Sequence, residues 1–190
     1  MSRYLDIQAQ GVVEWLTRPA TSAEQLVFAG LAQVPHSVPL ETAVLAKRFG
    51  LEIQDFARVL FELNRRKSIV LTQEEQDHSV QFDFDFAALS ADLNALSCGQ
   101  PQLMLVTSEG LCIAQQGLSD EECTRHAADC QGLPESGWPV VMPLHLGQES
   151  LWLCSKTPID TSGDALLRLV RRFLGLATPL RANTRAPSVH

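Results

Sequence analysis

The run Leu103-Met104-Leu105-Val106-Thr107-Ser108-Glu109-Gly110-Leu111-Cys112-Ile113-Ala114 is the most informative part of this chain. An apolar stretch of strand length meets a polar Ser-Glu-Gly, and a second apolar stretch follows at once. Gly110 can take the positive φ that a tight hairpin turn demands, so strands are expected over 102–107 and 111–115. Upstream, Leu89, Leu93 and Leu96 share one face of a helix expected over 87–96. Downstream, beyond Gly117, Ser119 and Glu122 form a capping box that opens a helix reaching about Cys130. A second hairpin is expected from 138–146 and 150–155, turning at Gly147-Gln148. Thr161 and Asp164 cap a last helix over 165–174. It turns Leu166, Leu169, Val170 and Phe173 inward and leaves Arg168, Arg171 and Arg172 in water near the negative helix end. Residues 177–190 read as a flexible tail. Helix, strand, strand, helix, strand, strand, helix gives an antiparallel sheet with helices packed on it, an α+β arrangement.

The first half has another rhythm. Residues 1–20 carry Leu5, Gln8, Val12 and Trp15 at helical spacing, interrupted by Gly11 and stopped by Pro19, which suggests a short amphipathic helix or arm. Thr21 and Glu24 supply a capping box for a helix to about Gln33. Pro39 opens a second helix with Val44, Leu45 and Phe49 as its buried stripe, and Gly50 ends it. A third helix is expected over 52–67, because Ile53, Phe56, Val59, Leu60 and Leu63 recur at three- and four-residue steps. Residues 68–72 and 79–86 read as strands of a hairpin around the polar turn 73–78.

The string Leu45-Ala46-Lys47-Arg48-Phe49-Gly50-Leu51, followed by Val59-Leu60, Leu63 and Ile69-Val70, resembles winged helix-turn-helix domains. The resemblance covers about residues 22–85 and implies a winged-helix domain over 21–86, after an arm over 1–20. The run 103–114, Gly117 and the capped helix after it resemble the roadblock (dynein light chain) family over about residues 86–176. That resemblance implies a profilin-like αβ sandwich over 87–176, and the chain departs from it in a short middle helix and a Pro- and Gly-rich stretch, 132–139. A GAF-like small-molecule sensor is the alternative for this half, and would need a ligand-sized apolar cavity between sheet and helices. Roadblock domains pair, commonly through sheet edges and a helix, and many serve as platforms for small Ras-like GTPases or motor assemblies. A homodimer is therefore expected, with Trp138, Val140, Val141 and Trp152 as apolar material for a partner surface.

Charge narrows the partners. The chain has 190 residues, 15 of them Lys or Arg and 22 Asp or Glu, for a net charge of −7. With 45% apolar residues and a mean hydropathy of +0.01 it has the profile of a soluble protein. Its longest uncharged runs are too short and polar to span a bilayer, and Asp6 and Glu14 in the first fifteen residues argue against a leader. Five cysteines without a CxxC pair read as reduced thiols, so a cytoplasmic location without membrane contact is expected.

A DNA reader needs cations on its third helix and its wing. Here the third helix opens with Glu52, Gln54, Asp55 and Arg58, the wing turn carries Glu74, Glu75 and Asp77, and residues 1–85 hold 8 basic and 12 acidic side chains. Lys47, Arg48, Gln54 and Arg58 are the candidate contacts on this half. The charge favours a protein partner over nucleic acid, and DNA binding would need a dimer that focuses those cations. Cys123, His126 and Cys130 share one helix face at i, i+3 and i+7, yet without a fourth ligand they read as core residues and no metal is expected. Phe82-Asp83-Phe84-Asp85-Phe86 alternates as any half-buried strand does. GxSxG, HExxH, GxxxxGK[ST] and GxGxxG are all missing, so neither catalytic residues nor a cofactor are expected. The reading is a non-enzymatic regulatory or scaffolding protein acting through protein contacts, with a dimeric DNA-binding transcriptional regulator as its rival.

Overall fold

A computed structural model of the chain describes residues 3–99, 101–129, 138–146 and 149–182. It is a mixed α+β structure with two antiparallel sheets. The N-terminal stretch begins as a strand rather than an all-helical arm. β1 (Tyr4–Ile7) alternates, burying Leu5 and Ile7, and α1 (Ala9–Leu16) follows with Val12, Trp15 and Leu16 inside. Gly11 lets α1 lie against α2 (Ala23–Ala32), since a Cβ there would stand 2.5 Å from the Phe28 ring. The capping box of α2 sits one residue beyond the expected Thr21 and Glu24: the Ser22 hydroxyl accepts the Gln25 N–H, and the Gln25 amide oxygen accepts the Ser22 N–H.

Pro39 does not open a helix. It lies in β2 (Val38–Pro39), a sheet edge where its missing N–H is tolerated, and α3 (Thr42–Arg48) starts three residues later. α3 ends on Gly50 at φ +66, with the Leu51 N–H on the Ala46 carbonyl at 2.9 Å. α4 (Ile53–Arg65) ends in the same left-handed geometry without a glycine, Lys67 standing at φ +57.

β3 (Ile69–Thr72) pairs with β1, giving the three-stranded order β2-β1-β3. The strand expected over 79–86 is absent, and the physical reason lies in its aspartates. Asp77 accepts the Ser79 N–H at 2.8 Å and starts a helical turn, α5 (Ser79–Phe82), while Asp85 accepts the Ala87 and Ala88 N–H groups as the cap of α6 (Phe86–Leu96). Side chains that bond their own backbone favour caps and turns over a ladder. The wing-like hairpin is thereby replaced by a strand drawn from the N-terminus.

The second half keeps the expected order. β4 (Leu103–Thr107), β5 (Cys112–Gln116), α7 (Asp120–Asp129), β6 (Val140–Leu146) and β7 (Glu149–Ser155) precede α8 (Asp164–Ala182). The strands form an antiparallel sheet in the order β5-β4-β7-β6. β4 is buried on both faces: Leu103 and Leu105 join the main core, whereas Met104 and Val106 face a second cluster. The expected turn at Gly147-Gln148 and most of the 132–139 stretch lie outside the described residues. α8 runs past the expected stop near Leu174, so part of the expected tail is helical. Gly175 is a packing notch rather than a terminator, since a Cβ there would stand 2.0 Å from the Phe82 carbonyl oxygen.

One apolar cluster runs from Leu5 through Phe28 and Phe56 to Leu93, Leu153 and Leu169, so the core is continuous between the two halves. α8 lies across it and is buried on nearly every side from Ala165 to Leu174. This overturns the expectation that its arginines face water, because Arg171 and Arg172 are buried. Asp92 of α6 answers them, one carboxylate oxygen accepting Arg168 Nε at 2.8 Å and the other Arg172 Nε at 2.7 Å. Arg172 also donates to the Asp83 carbonyl, and Arg171 donates to Gln81 and to Asp6 of β1. Removing one partner of a buried pair strands the other charge, so Asp92→Asn should lower unfolding free energy by about 3 kcal/mol in urea melts. Arg58→Ala, at an exposed pair, should stay within about 0.5 kcal/mol. Equal effects would show that the buried ion cluster does not hold α8.

Candidate functional site

α4 has a regular amphipathic build. Phe56, Val59 and Leu63 point inward, and Phe49 of the preceding turn stacks on Phe56 at 5.9 Å. The opposite face reaches solvent with Gln54, Arg58, Phe61 and Arg65, flanked by Ile53 and Ala57. Phe61 is 64% and Ile53 54% exposed. The arginines of this helix and its end are tied within the chain. Arg58 meets Asp55 at 3.6 Å, Arg65 meets Glu62 at 2.8 Å, and Arg66 pairs with Glu14, which raises the guanidinium's pKa. Such exposed pairs add little stability, but a phosphate approaching those guanidiniums meets a carboxylate beside each. Lys47 and Arg48 stand exposed at the end of α3, across the Gly50 turn. All four candidate contacts of the first half are therefore accessible, and apolar groups share their surface.

The apolar candidates of the second half lie elsewhere. Trp138, Val141 and Trp152 are brought together, but inside the cluster that fills the space between the sheet and α7. Trp138 is only 6% exposed, its ring edge-on to His126 at 5.2 Å with Lys156 Nζ over it at 5.4 Å. Met104, Val106, Leu118, Cys123, Ala127 and Cys154 complete this cluster. Val140 is half-buried at the start of β6, an edge strand that carries Pro143. A proline removes one donor from such an edge and weakens it as a template for strand addition.

Cys123 and His126 share a helix face as expected, while Cys130 lies outside the described residues. Among the described residues no group of three or more His, Cys, Asp or Glu could hold a metal ion. Cys123 instead packs in the same cluster as Cys112 of β5, and burial pushes its pKa up to about 12. Asp83 and Asp85 do not form a carboxylate pair on a strand, since Asp85 is spent on capping α6.

An open cleft of about 460 Å³, unmarked by any sequence pattern, lies where α1 ends and α2 begins, lined by Trp15, Arg18, Gln25 and Arg66 among others. The Trp15 indole N–H is held by the Ser68 hydroxyl at 2.8 Å and Arg66 lies over its ring, contacts between segments far apart in the chain. Compared with family models, with curated proteins and with solved structures, the chain matches none.

The thiols give a direct check of this arrangement. A buried, protonated thiol reacts slowly, because the thiolate is the nucleophile. Alkylation of the native protein followed by peptide mass spectrometry should label exposed Cys98 first and half-buried Cys112 later, with Cys123 and Cys154 modified only after unfolding. Early labelling of Cys123 would mean that α7 does not cover the sheet.

Proposed function

We propose that this protein is a non-enzymatic regulatory or scaffolding protein that works through protein–protein contacts. Its first half acts as a winged-helix-like contact module and its second half as a roadblock-like αβ unit that pairs with a second copy. The observation that carries the reading is the outward face of α4. A helix built to read base edges needs donors and free cations there, whereas this one displays Phe61 and Ile53 beside arginines already paired with Asp55 and Glu62. Exposed aromatic and apolar side chains next to arginine are the residue types that dominate protein interfaces.

The element order α2, β2, α3, α4, β3 supports the first part of the reading, with β1 standing where a wing's second strand would pair. The order α6, β4, β5, α7, β6, β7, α8 supports the second. Among partners, a small Ras-like GTPase is the first class to test, on the strength of the roadblock resemblance. Pairing of two copies would use the β5 edge more readily than β6, whose Pro143 lacks a donor.

Fluorescence anisotropy with mixed-sequence duplex DNA at low salt should show no binding. Tight binding with steep salt dependence would put a transcriptional regulator in its place. Light scattering after gel filtration should give twice the chain mass, and a clean 20.9 kDa species would remove the homodimer from the proposal.

A further inference from the structure

A second surface, away from α4, lies where α5 passes into α6. Val80 is 76% and Phe86 65% exposed, and Leu176 of α8 is 48% exposed. These are not scattered groups. The Phe84 ring meets Phe86 at 5.2 Å and Phe173 at 5.5 Å, edge-on in both cases, and Leu176 follows one turn after Phe173. Gly175 brings α8 down onto the Phe82 carbonyl, so apolar surface continues from the α8 flank out to Phe86. A linked exposed patch of this kind is the usual mark of a docking site.

The charge around it is of one sign. Glu74, Glu75, Asp77, Asp83 and Asp85 are all exposed, and residues 74–85 contain no Lys or Arg. Among the described residues none of these five carboxylates enters an ion pair. The α8 arginines that pack under this segment are already committed: Arg171 to Asp6 and Gln81, Arg172 to Asp92 and the Asp83 carbonyl, and Arg168 to Asp92. His78 is turned inward onto the Asp6 carboxylate at 3.0 Å. Among the described residues, exposed Arg3 and His36 lie on the Glu74–Asp77 side, at the end of the β1–β3 pairing and beside Asp77, and no cation is paired with Asp83 or Asp85 next to Phe86. A second copy meeting the patch face to face would set aspartates against aspartates, and anionic lipid or nucleic acid would be repelled.

We propose that this surface docks a basic amphipathic segment of a partner protein. Phe86, Phe84 and Leu176 receive the segment's apolar side chains, Asp83 takes a Lys or Arg beside them, and Glu74 and Glu75 add to the field that draws it in. The inference goes beyond the reading above, because it uses a different surface and would hold whatever α4 contacts.

The probe is a fluorescent amphipathic helical peptide of Leu and Lys, about 14 residues or four turns long, titrated by anisotropy against the full chain. Binding should weaken roughly tenfold in Phe86→Ser, where an aromatic anchor is lost. It should weaken similarly in a triple variant, Glu74→Gln, Glu75→Gln and Asp83→Asn, and fall as salt rises. Asp77 and Asp85 stay in place because they hold the α5 turn and the α6 cap, and circular dichroism should report both variants folded. A peptide with Glu in place of Lys should not bind. Absence of binding, or binding that neither variant weakens, would overturn the proposal. Phe61→Ser on α4 should leave the peptide's affinity unchanged. If it weakens binding instead, the peptide sits on α4, and this inference falls while the protein-contact reading stands.

Discussion

Charged groups on a helix that has no free side must be answered inside the protein. α8 carries leucine, valine and phenylalanine around almost its whole circumference between Ala165 and Leu174, so Arg171 and Arg172 cannot both reach water. An uncompensated buried guanidinium would cost several kcal/mol, and the structure meets that demand from several separate places in the chain. Asp92 comes from α6, Gln81 and the Asp83 carbonyl from the α5 segment, and Asp6 from the N-terminal strand. Hydrophobic burial would let α8 slide or rotate on the core, whereas hydrogen bonds of 2.6 to 2.8 Å to the Asp92 carboxylate and the Gln81 amide fix its register.

The same contacts explain why β1 matters more than its four residues suggest. It is the central strand of its sheet, flanked by β2 and β3, and its Asp6 also receives His78 and Arg171. β1 pairs with β3 along its whole length, and residues 79–86 turn and begin α6 rather than adding a strand. Ser68, between α4 and β3, closes the arrangement by holding the Trp15 indole. The segment from β3 to α6 is thereby pinned by its polar groups while Val80 and Phe86 stay outside.

Apolar material is distributed by layer rather than by abundance. The strands of the second sheet are covered by α6 and α8 on one face and by α7 on the other, so Trp138 is buried and Trp152 half-buried against it. Among the described residues, exposed apolar groups on helices stand at the outward side of α4 and at the α5 to α6 passage. One mixes arginine and apolar groups with in-chain acids, and the other sets aromatic groups among unpaired carboxylates. Two surfaces of different character suit a protein that joins partners.

Much of the secondary structure was legible because it follows local rules. Periodic leucines, the Ser119–Glu122 box and the Gly50 and Gly110 turns act over a few residues, and α4, α6, α7 and both strands of the β4–β5 hairpin emerged within a residue or two. Lys47, Arg48, Gln54 and Arg58 are exposed as their polarity suggests, but the buried stripes opposite them are narrower than the apolar spacing implied, since Val44 and Ile53, expected inside, are exposed. Local rules failed where a residue had two uses. Phe-Asp alternation over 82–86 suits a strand and a helix cap equally, and arginines at a helix end suit water and a buried carboxylate equally. Trp138 and Trp152 could have lain on a surface until α7 was placed over them. For the arginines the use that prevails is set by groups dozens of residues away, Asp6 for Arg171 and Asp92 for Arg172, and pairings at such distances leave no periodic trace in the chain.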